Sequence, residues 1–214
     1  MTTFGTMKTR IATELDRSDL TSPIADAVVS AIAYFSTYRF WFNERKIVFT
    51  TVDGQDEYQL PIVDSGGLPI RVLEIDQLIF VDSGGSRYVL EPRPWQYVNA
   101  QKWNTTDTGK PDIYTFHHGK IILWPPPDDA YTIEGSVLAD INQITSASGS
   151  TATNEWMTVG EEMIRCRAKG DLYENTIRNP ERAAAMLGIA SAAMQRLQSQ
   201  TDRIKNLGGV TPWY

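Results

Sequence analysis

Ile24, Val28, Ile32, Phe35, Tyr38 and Phe42 recur every three or four residues, which predicts an amphipathic helix about five turns long. Ser22-Pro23 supplies its start, as an N-cap followed by proline at the first helical position. Met7, Ile11 and Leu15 repeat every four residues and predict a shorter helix before it, so the chain opens as a helical pair.

From Lys46 the period falls to two. Ile47 to Val52 and Glu57 to Leu60, separated by Asp53-Gly54, read as a hairpin. Arg71 to Val81 alternates with a phase slip at Gln77, the mark of a bulge. Ser83 to Ser86 turn the chain into Tyr88 to Leu90, and Pro92 to Trp103 reads as a short helix or turn. Ile113 to Phe116 and Ile121 to Trp124 flank His118-Gly119 as a second hairpin, and Tyr131 to Val137 is the last strand. Without a crossover helix between consecutive strands the whole middle reads as antiparallel.

Helical spacing returns after the small, polar stretch Ser146 to Thr153. Trp156, Val159, Met163, Cys166, Gly170, Tyr173 and Ile177 form a seam of three heptads, with Glu161 four before Arg165 and Arg167 four before Asp171. Gly170 lowers helix propensity inside that seam. Asn179-Pro180 predicts a tight reversal into a second seam, Ala183, Leu187, Ala190, Met194, Leu197 and Ile204, so that two antiparallel helices of matching length result. Leu207, Gly208, Gly209, Val210, Thr211, Pro212, Trp213 and Tyr214 cannot continue it. The predicted class is α+β: a helical bundle from 1–44 and 155–205, an inserted antiparallel β region over 45–154, and an extended arm over 206–214.

Composition narrows the function. Across 214 residues, 20 Lys and Arg against 26 Asp and Glu leave a net charge of −6, which disfavours a protein whose task is neutralising phosphates. With Cys166 the sole cysteine, neither an intrachain disulfide nor a cysteine zinc site can form. Met1 to Lys8 lacks the apolar run of a signal peptide, and no stretch is apolar enough to span a bilayer. The expected setting is the cytoplasm.

Catalytic patterns are absent: there is no serine elbow, phosphate loop, HExxH or calcium loop. His117 and His118 are adjacent in a strand, point to opposite faces and are read as turn residues. Cys166 lies on an apolar seam and is read as a buried thiol. Asp128-Asp129 and Glu161-Glu162 lack an acid or base partner in sequence. The reading is therefore no enzyme, no cofactor and no metal; the alternative is a hydrolase whose active site gathers carboxylates from distant segments.

The aromatics are less ordinary. Phe40, Trp41 and Phe42 follow one another, and one helix face cannot bury all three. Some are expected to pack into the β region and some to meet a partner; Arg39, Phe40 and Trp41, with the basic group Arg165, Arg167 and Lys169, are the candidate subunit-interface residues. Trp213-Tyr214 behind two glycines is read as docking on another chain in preference to folding back.

In the order and spacing of Tyr38-Arg39-Phe40-Trp41-Phe42-Asn43-Glu44, Pro111-Asp112-Ile113-Tyr114, Leu123-Trp124-Pro125-Pro126-Pro127, Trp156 through Tyr173, Pro180 through Met186 and the aromatic tail, the chain resembles the adaptor, or head-to-tail connector, proteins of short-tailed bacteriophages. The resemblance covers nearly the whole chain. It implies a ring, usually of twelve subunits, beneath the portal protein at the portal vertex of the virion, assembled in the host cytoplasm. It also implies a carboxyl-terminal arm, Leu207 to Tyr214, inserted into the portal, a platform for a tail tube or nozzle protein, and a channel through which DNA passes unread.

Overall fold

The computed structural model describes residues 2–82, 84–104, 107–141 and 144–206. Mixed α and β structure divides into two compact units: one drawn from both ends of the chain, up to Asn43 and from Ile141 onward, the other the segment between, Glu44–Asp140.

In the first unit, α1 (Phe4–Leu15) opens on a reciprocal cap. The Thr3 hydroxyl accepts the Thr6 N–H, and the Thr6 hydroxyl accepts the Thr3 N–H at 2.7 Å. Its face Phe4, Met7 and Ile11 is buried. Helix α2 (Thr21–Ser36) starts earlier than Ser22-Pro23 suggests, with Leu20 as N-cap and no side-chain cap. Proline is still tolerated, because the first intrahelical bond comes from the Ile24 N–H to the Leu20 carbonyl and Pro23 sits where an N–H would have no acceptor. The helix also ends earlier, at Ser36 and not near Phe42.

The predicted seam from Trp156 to Ile177 is not one helix. A single turn, α4 (Glu155–Thr158), is capped by the Asn154 side chain; Gly160 then starts α5 (Glu161–Leu172), which runs into a π-helical turn over Tyr173–Ile177. A Cβ at Gly160 would stand 3.1 Å from the Trp156 carbonyl, so the seam breaks where the backbone is crowded. Arg178, left-handed at φ 59°, reverses the chain, and the Asn179 side chain accepts the Arg182 N–H at the head of α6 (Pro180–Asn206). With 27 residues against 12, α6 does not match α5 in length. Packing joins α1 to α2, and α5 to α1, α2 and α6. Gly170 faces α6: a Cβ there would fall 2.7 Å from Leu187 Cδ2, so glycine serves close helix approach. The buried stripe of α6 is Ala183, Ala190, Ala193 and Thr201; Ile204, assigned to the seam by spacing, is 44% exposed.

In the second unit two four-stranded sheets form. One is ordered β1-β8-β3-β4, from β1 (Glu44–Thr50), β8 (Thr132–Asp140), β3 (Arg71–Val81) and β4 (Arg87–Val89). The other is β2-β7-β6-β5, from β2 (Glu57–Gln59), β7 (Lys120–Trp124), β6 (Ile113–His117) and β5 (Glu91–Pro92). The expected hairpin of Ile47–Val52 with Glu57–Leu60 is therefore corrected: β1 pairs with β8 and β2 with β7. After β1 the Thr51 N–H goes to the Tyr131 carbonyl and the Gly54 N–H to the Pro127 carbonyl, which ties the chain to the segment before β8. The expectation of purely antiparallel strands is corrected as well, since β5 and β6 run parallel across α3 (Trp95–Asn104) as crossover helix. The phase slip in β3 is present as register shifts between Val72/Glu74 and Ile75/Gln77. Four consecutive buried residues, Ile121 to Trp124, mark β7 as covered on both faces; Ile122 and Trp124 meet Val98 of α3, leaving Ile121 and Leu123 to the other side.

Gly135 pairs with Ile47 and with Leu78, both fully buried, and a Cβ on it would lie 2.7 Å from Ile47 Cγ1 and 2.8 Å from Leu78 Cδ2. Gly135→Ala is expected to destabilise by about 1–3 kcal/mol through overpacking. Urea midpoints check it, and an unchanged midpoint would mean that the row across the sheet opens without cost.

Candidate functional surfaces

Asn43 sorts the three successive aromatics. Fully buried, it accepts the Phe40 N–H on Oδ1 at 2.8 Å and donates from Nδ2 to the Tyr38 carbonyl at 2.8 Å, closing a turn at the end of α2. Phe40 and Phe42 go inside, stacked at 5.4 Å, and both rings meet Trp156 edge to face at 5.7 and 4.8 Å. Trp41 goes outside, 38% exposed, with its backbone N–H donated to the Thr201 hydroxyl at 3.2 Å. The packing partner of the two buried rings is thus a helix of the same unit. Arg39 is half-buried beside them.

The basic group on α5 divides in the same way. Glu14 of α1 accepts both Arg165 Nη1 at 2.7 Å and Lys169 Nζ at 2.6 Å; Arg10 joins Glu14 to Glu161, and Arg165 also reaches Glu161 at 3.0 Å. Burial alone would raise the Glu14 carboxyl, but hydrogen bonds from Lys169 and Arg165, together with their charges, outweigh it and hold the group below its ordinary value. Arg165 and Lys169 keep only 13% and 11% of their side chains exposed, so their charges serve the contact between α1 and α5. Arg167 makes the predicted pair with Asp171 at 3.3 Å and lies 4.1 Å over the ring of Tyr34, which accepts a hydrogen bond from the Tyr38 hydroxyl. Glu14 was invisible to the sequence reading because its partners lie 151 and 155 residues away.

The residues weighed for catalysis do not come together. His118 takes φ 52° in the two-residue turn between β6 and β7, 5.0 Å ring to ring from His117, which stacks on Trp95 at 4.7 Å. No group of three His, Cys, Asp or Glu that could hold a metal occurs among the described residues. Cys166 is buried, and burial pushes its thiol up, away from the reactive thiolate. Asp128 accepts the Tyr131 hydroxyl at 2.6 Å, which together with burial pushes Tyr131 up to about 12. Asp171 is likewise raised by burial. Leu207 to Tyr214, the candidate docking arm, lies outside the described residues.

The chain matches the model of the SU10 adaptor protein family over residues 2–212, and it belongs to that family of phage adaptor proteins. No curated protein matches it. Membership bears out the resemblance drawn from residue order and gives the chain a structural role. Among the described residues no helix is long and apolar enough to cross a membrane.

Proposed function

We propose that the chain is the head-to-tail adaptor of a phage particle. Copies assemble as a ring, of twelve in the usual form, beneath the portal protein. The helices of both chain ends act as one bundle and form its body, and the β segment is carried as an insertion. The arm Leu207 to Tyr214 docks into the portal, and the opposite side receives a tail tube or nozzle protein. DNA passes through without being read, and the protein resides at the portal vertex after assembly in the host cytoplasm. The observation that carries this reading is the family match over residues 2–212.

Charge supports it. Glu44 to Asp140 holds 15 Asp and Glu against 8 Lys and Arg, a balance of −7, while the two chain ends together hold 11 against 12. The acidic excess sits wholly in the β segment, and a surface of that sign lets a polyanion pass without being held. Of the six candidate interface residues, Trp41 is 38% exposed and Arg39 and Arg167 are half-buried, so these three keep surface for contact with a neighbouring subunit, Arg167 while paired with Asp171; Phe40 is fully buried, and Arg165 and Lys169 are nearly so.

The arm is tested by its removal. Burying Trp213 and Tyr214 takes about 400 Å² from water, on the order of 10 kcal/mol at about 25 cal/mol per Å². Ordering the arm's backbone costs a similar amount at about 1–2 kcal/mol per residue, so one arm binds weakly and a ring of arms binds firmly. Deleting Val210 to Tyr214 is expected to leave the thermal midpoint nearly unchanged and to abolish co-sedimentation with rings of the cognate portal protein. Portal binding as tight as that of the full chain would refute the assignment.

A further inference from the structure

The hairpin over 62–70, between β2 and β3, is held still by its own backbone. The Ile70 N–H is donated to the Ile62 carbonyl and the Asp64 N–H to the Leu68 carbonyl, both at 2.9 Å, and Val63 bridges Pro69. Asp64 is buried and locks the turn: its Oδ1 accepts the Gly66 and Leu68 N–H groups at 2.9 Å each, and its Oδ2 lies 3.5 Å from Arg45 Nη1. The Ser65 N–H is donated to the Lys46 carbonyl of β1 at 2.7 Å. What this frame presents is apolar, with Ile62 77% exposed, Leu68 49% and Val63 44%. From Pro61 to Ile70 the one charged side chain is Asp64, and Arg45 stands beside it, so the hairpin offers a partner no free charge. A segment already ordered loses little freedom when it docks.

The helical unit carries a hollow of matching chemistry. An open pocket of about 390 Å³ is lined by Gly5, Ala12 and Ile24, and by Thr13, Thr21 and Lys8 of α1 and α2. No carboxylate lines it among the described residues, and the Lys8 ammonium is placed 4.4 Å over the ring of Phe4. Its size falls in the range of about 300–1,000 Å³ that takes small ligands, so branched apolar side chains fit. Within one chain the pocket stands open while Ile62 stays exposed, so the hairpin does not fill the pocket of its own molecule. A knob and a hollow at different places on one surface make a heterologous contact, in which each copy gives its knob to the next and receives one from the copy before; such a contact closes into a ring.

We propose that the 62–70 hairpin of one copy seats Ile62 and Leu68 in the pocket at Ala12 and Ile24 of the next copy. This contact deepens the ring reading and rests on it for closure. Three side chains are a small part of the about 800 Å² per partner of a standard interface, so the contact between two free copies is weak and is read at millimolar concentration.

The test uses the full chain with labelled isoleucine methyl groups, because knob and hollow each hold an isoleucine. Ile62→Val and Ile24→Val assign the two resonances. On raising the protein concentration both are expected to move together, while those of the fully buried Ile47 and Ile133 stay in place. Leu68→Ser on the hairpin, or Thr13→Lys at the pocket, is expected to abolish both shifts. Mixing these two variants leaves one intact hairpin and one intact pocket per pair, so sedimentation should show pairs and nothing longer. Association that moves Ile62 without Ile24, or moves neither, overturns this contact and leaves the ring reading standing. Association undiminished by Leu68→Ser or Thr13→Lys overturns it, as does a full chain that stays monomeric at millimolar concentration. Rings formed on the portal itself bear only on the ring reading.

Discussion

Trp156→Ala is expected to be the most damaging single substitution in the helical unit, lowering stability by about 3–5 kcal/mol. The side chain is fully buried, and it is the surface on which Phe40 and Phe42 both rest their rings edge to face. Removing it takes away the largest buried side chain of the unit and two aromatic contacts, each of which adds about 0.5–1.5 kcal/mol beyond area. Gly160 cannot refill the space, and Asn43 ties down the backbone at Phe40 and Tyr38, so collapse into the cavity is limited. A midpoint fall of roughly 10 °C follows at about 2–4 °C per kcal/mol. Trp156→Phe is the control. It keeps an aromatic face and removes an indole N–H that finds no acceptor in the protein, so its cost should be well below that of alanine. Thermal unfolding followed by helical circular dichroism decides it, and a loss under about 1 kcal/mol for Trp156→Ala would show that the aromatic cluster is not the centre of this unit.

The same cluster shows what was legible in the sequence. Periodicity located the helical segments, because an amphipathic face is a local property written at three- and four-residue spacing. It placed Phe42 on the stripe of α2, however, although the helix stops at Ser36. At its end the Ser36 and Thr37 hydroxyls donate to the Ala33 and Tyr34 carbonyls and the Tyr38 N–H returns to the Phe35 carbonyl; Asn43 then closes the turn that follows, and no spacing rule announces those bonds. The turn at His118-Gly119 was legible because two residues decide it. The partners of β1 and β2 were not, since each pairs with a strand more than sixty residues away and alternation is blind to which neighbour is chosen. The break at Gly160 escaped notice because the heptad count continues across it undisturbed.

Of the candidate interface residues, the aromatics were correctly singled out as too many for one face, but their division between core and surface depends on Asn43 and Trp156. The basic group on α5 was read as a candidate interface because Arg165 and Arg167 were credited only with Glu161 and Asp171, four residues away, and Lys169 with no partner of its own. Family membership, by contrast, was legible from residue order over the chain, a property that survives errors in the placement of individual elements.

Glu14→Gln is expected to lower stability at neutral pH by about 1–2 kcal/mol, between the small worth of exposed ion pairs and the larger cost of breaking buried ones, because solvent still reaches the carboxylate. The substitution keeps shape and removes the charge that receives Arg165 and Lys169; Arg165 retains Glu161, whereas Lys169, with its side chain 11% exposed, loses the carboxylate 2.6 Å away. The pH dependence has a defined sign. The folded protein holds the Glu14 carboxyl below its unfolded value near 4.5, so the stability that it contributes is fully present above that value and disappears as the pH falls through the lower, folded one. Urea midpoints of the two proteins should therefore stand apart at neutral pH and converge in acid. A gap that persists after the carboxyl is protonated would assign the effect to shape, and no gap at neutral pH would mean that Arg10, Arg165, Lys169 and Glu161 hold α1 on α5 without it. If the gap behaves as expected, α1 is the helix that acid releases first. The protection of its amides against hydrogen exchange should then fall, as the pH is lowered, before that of α5.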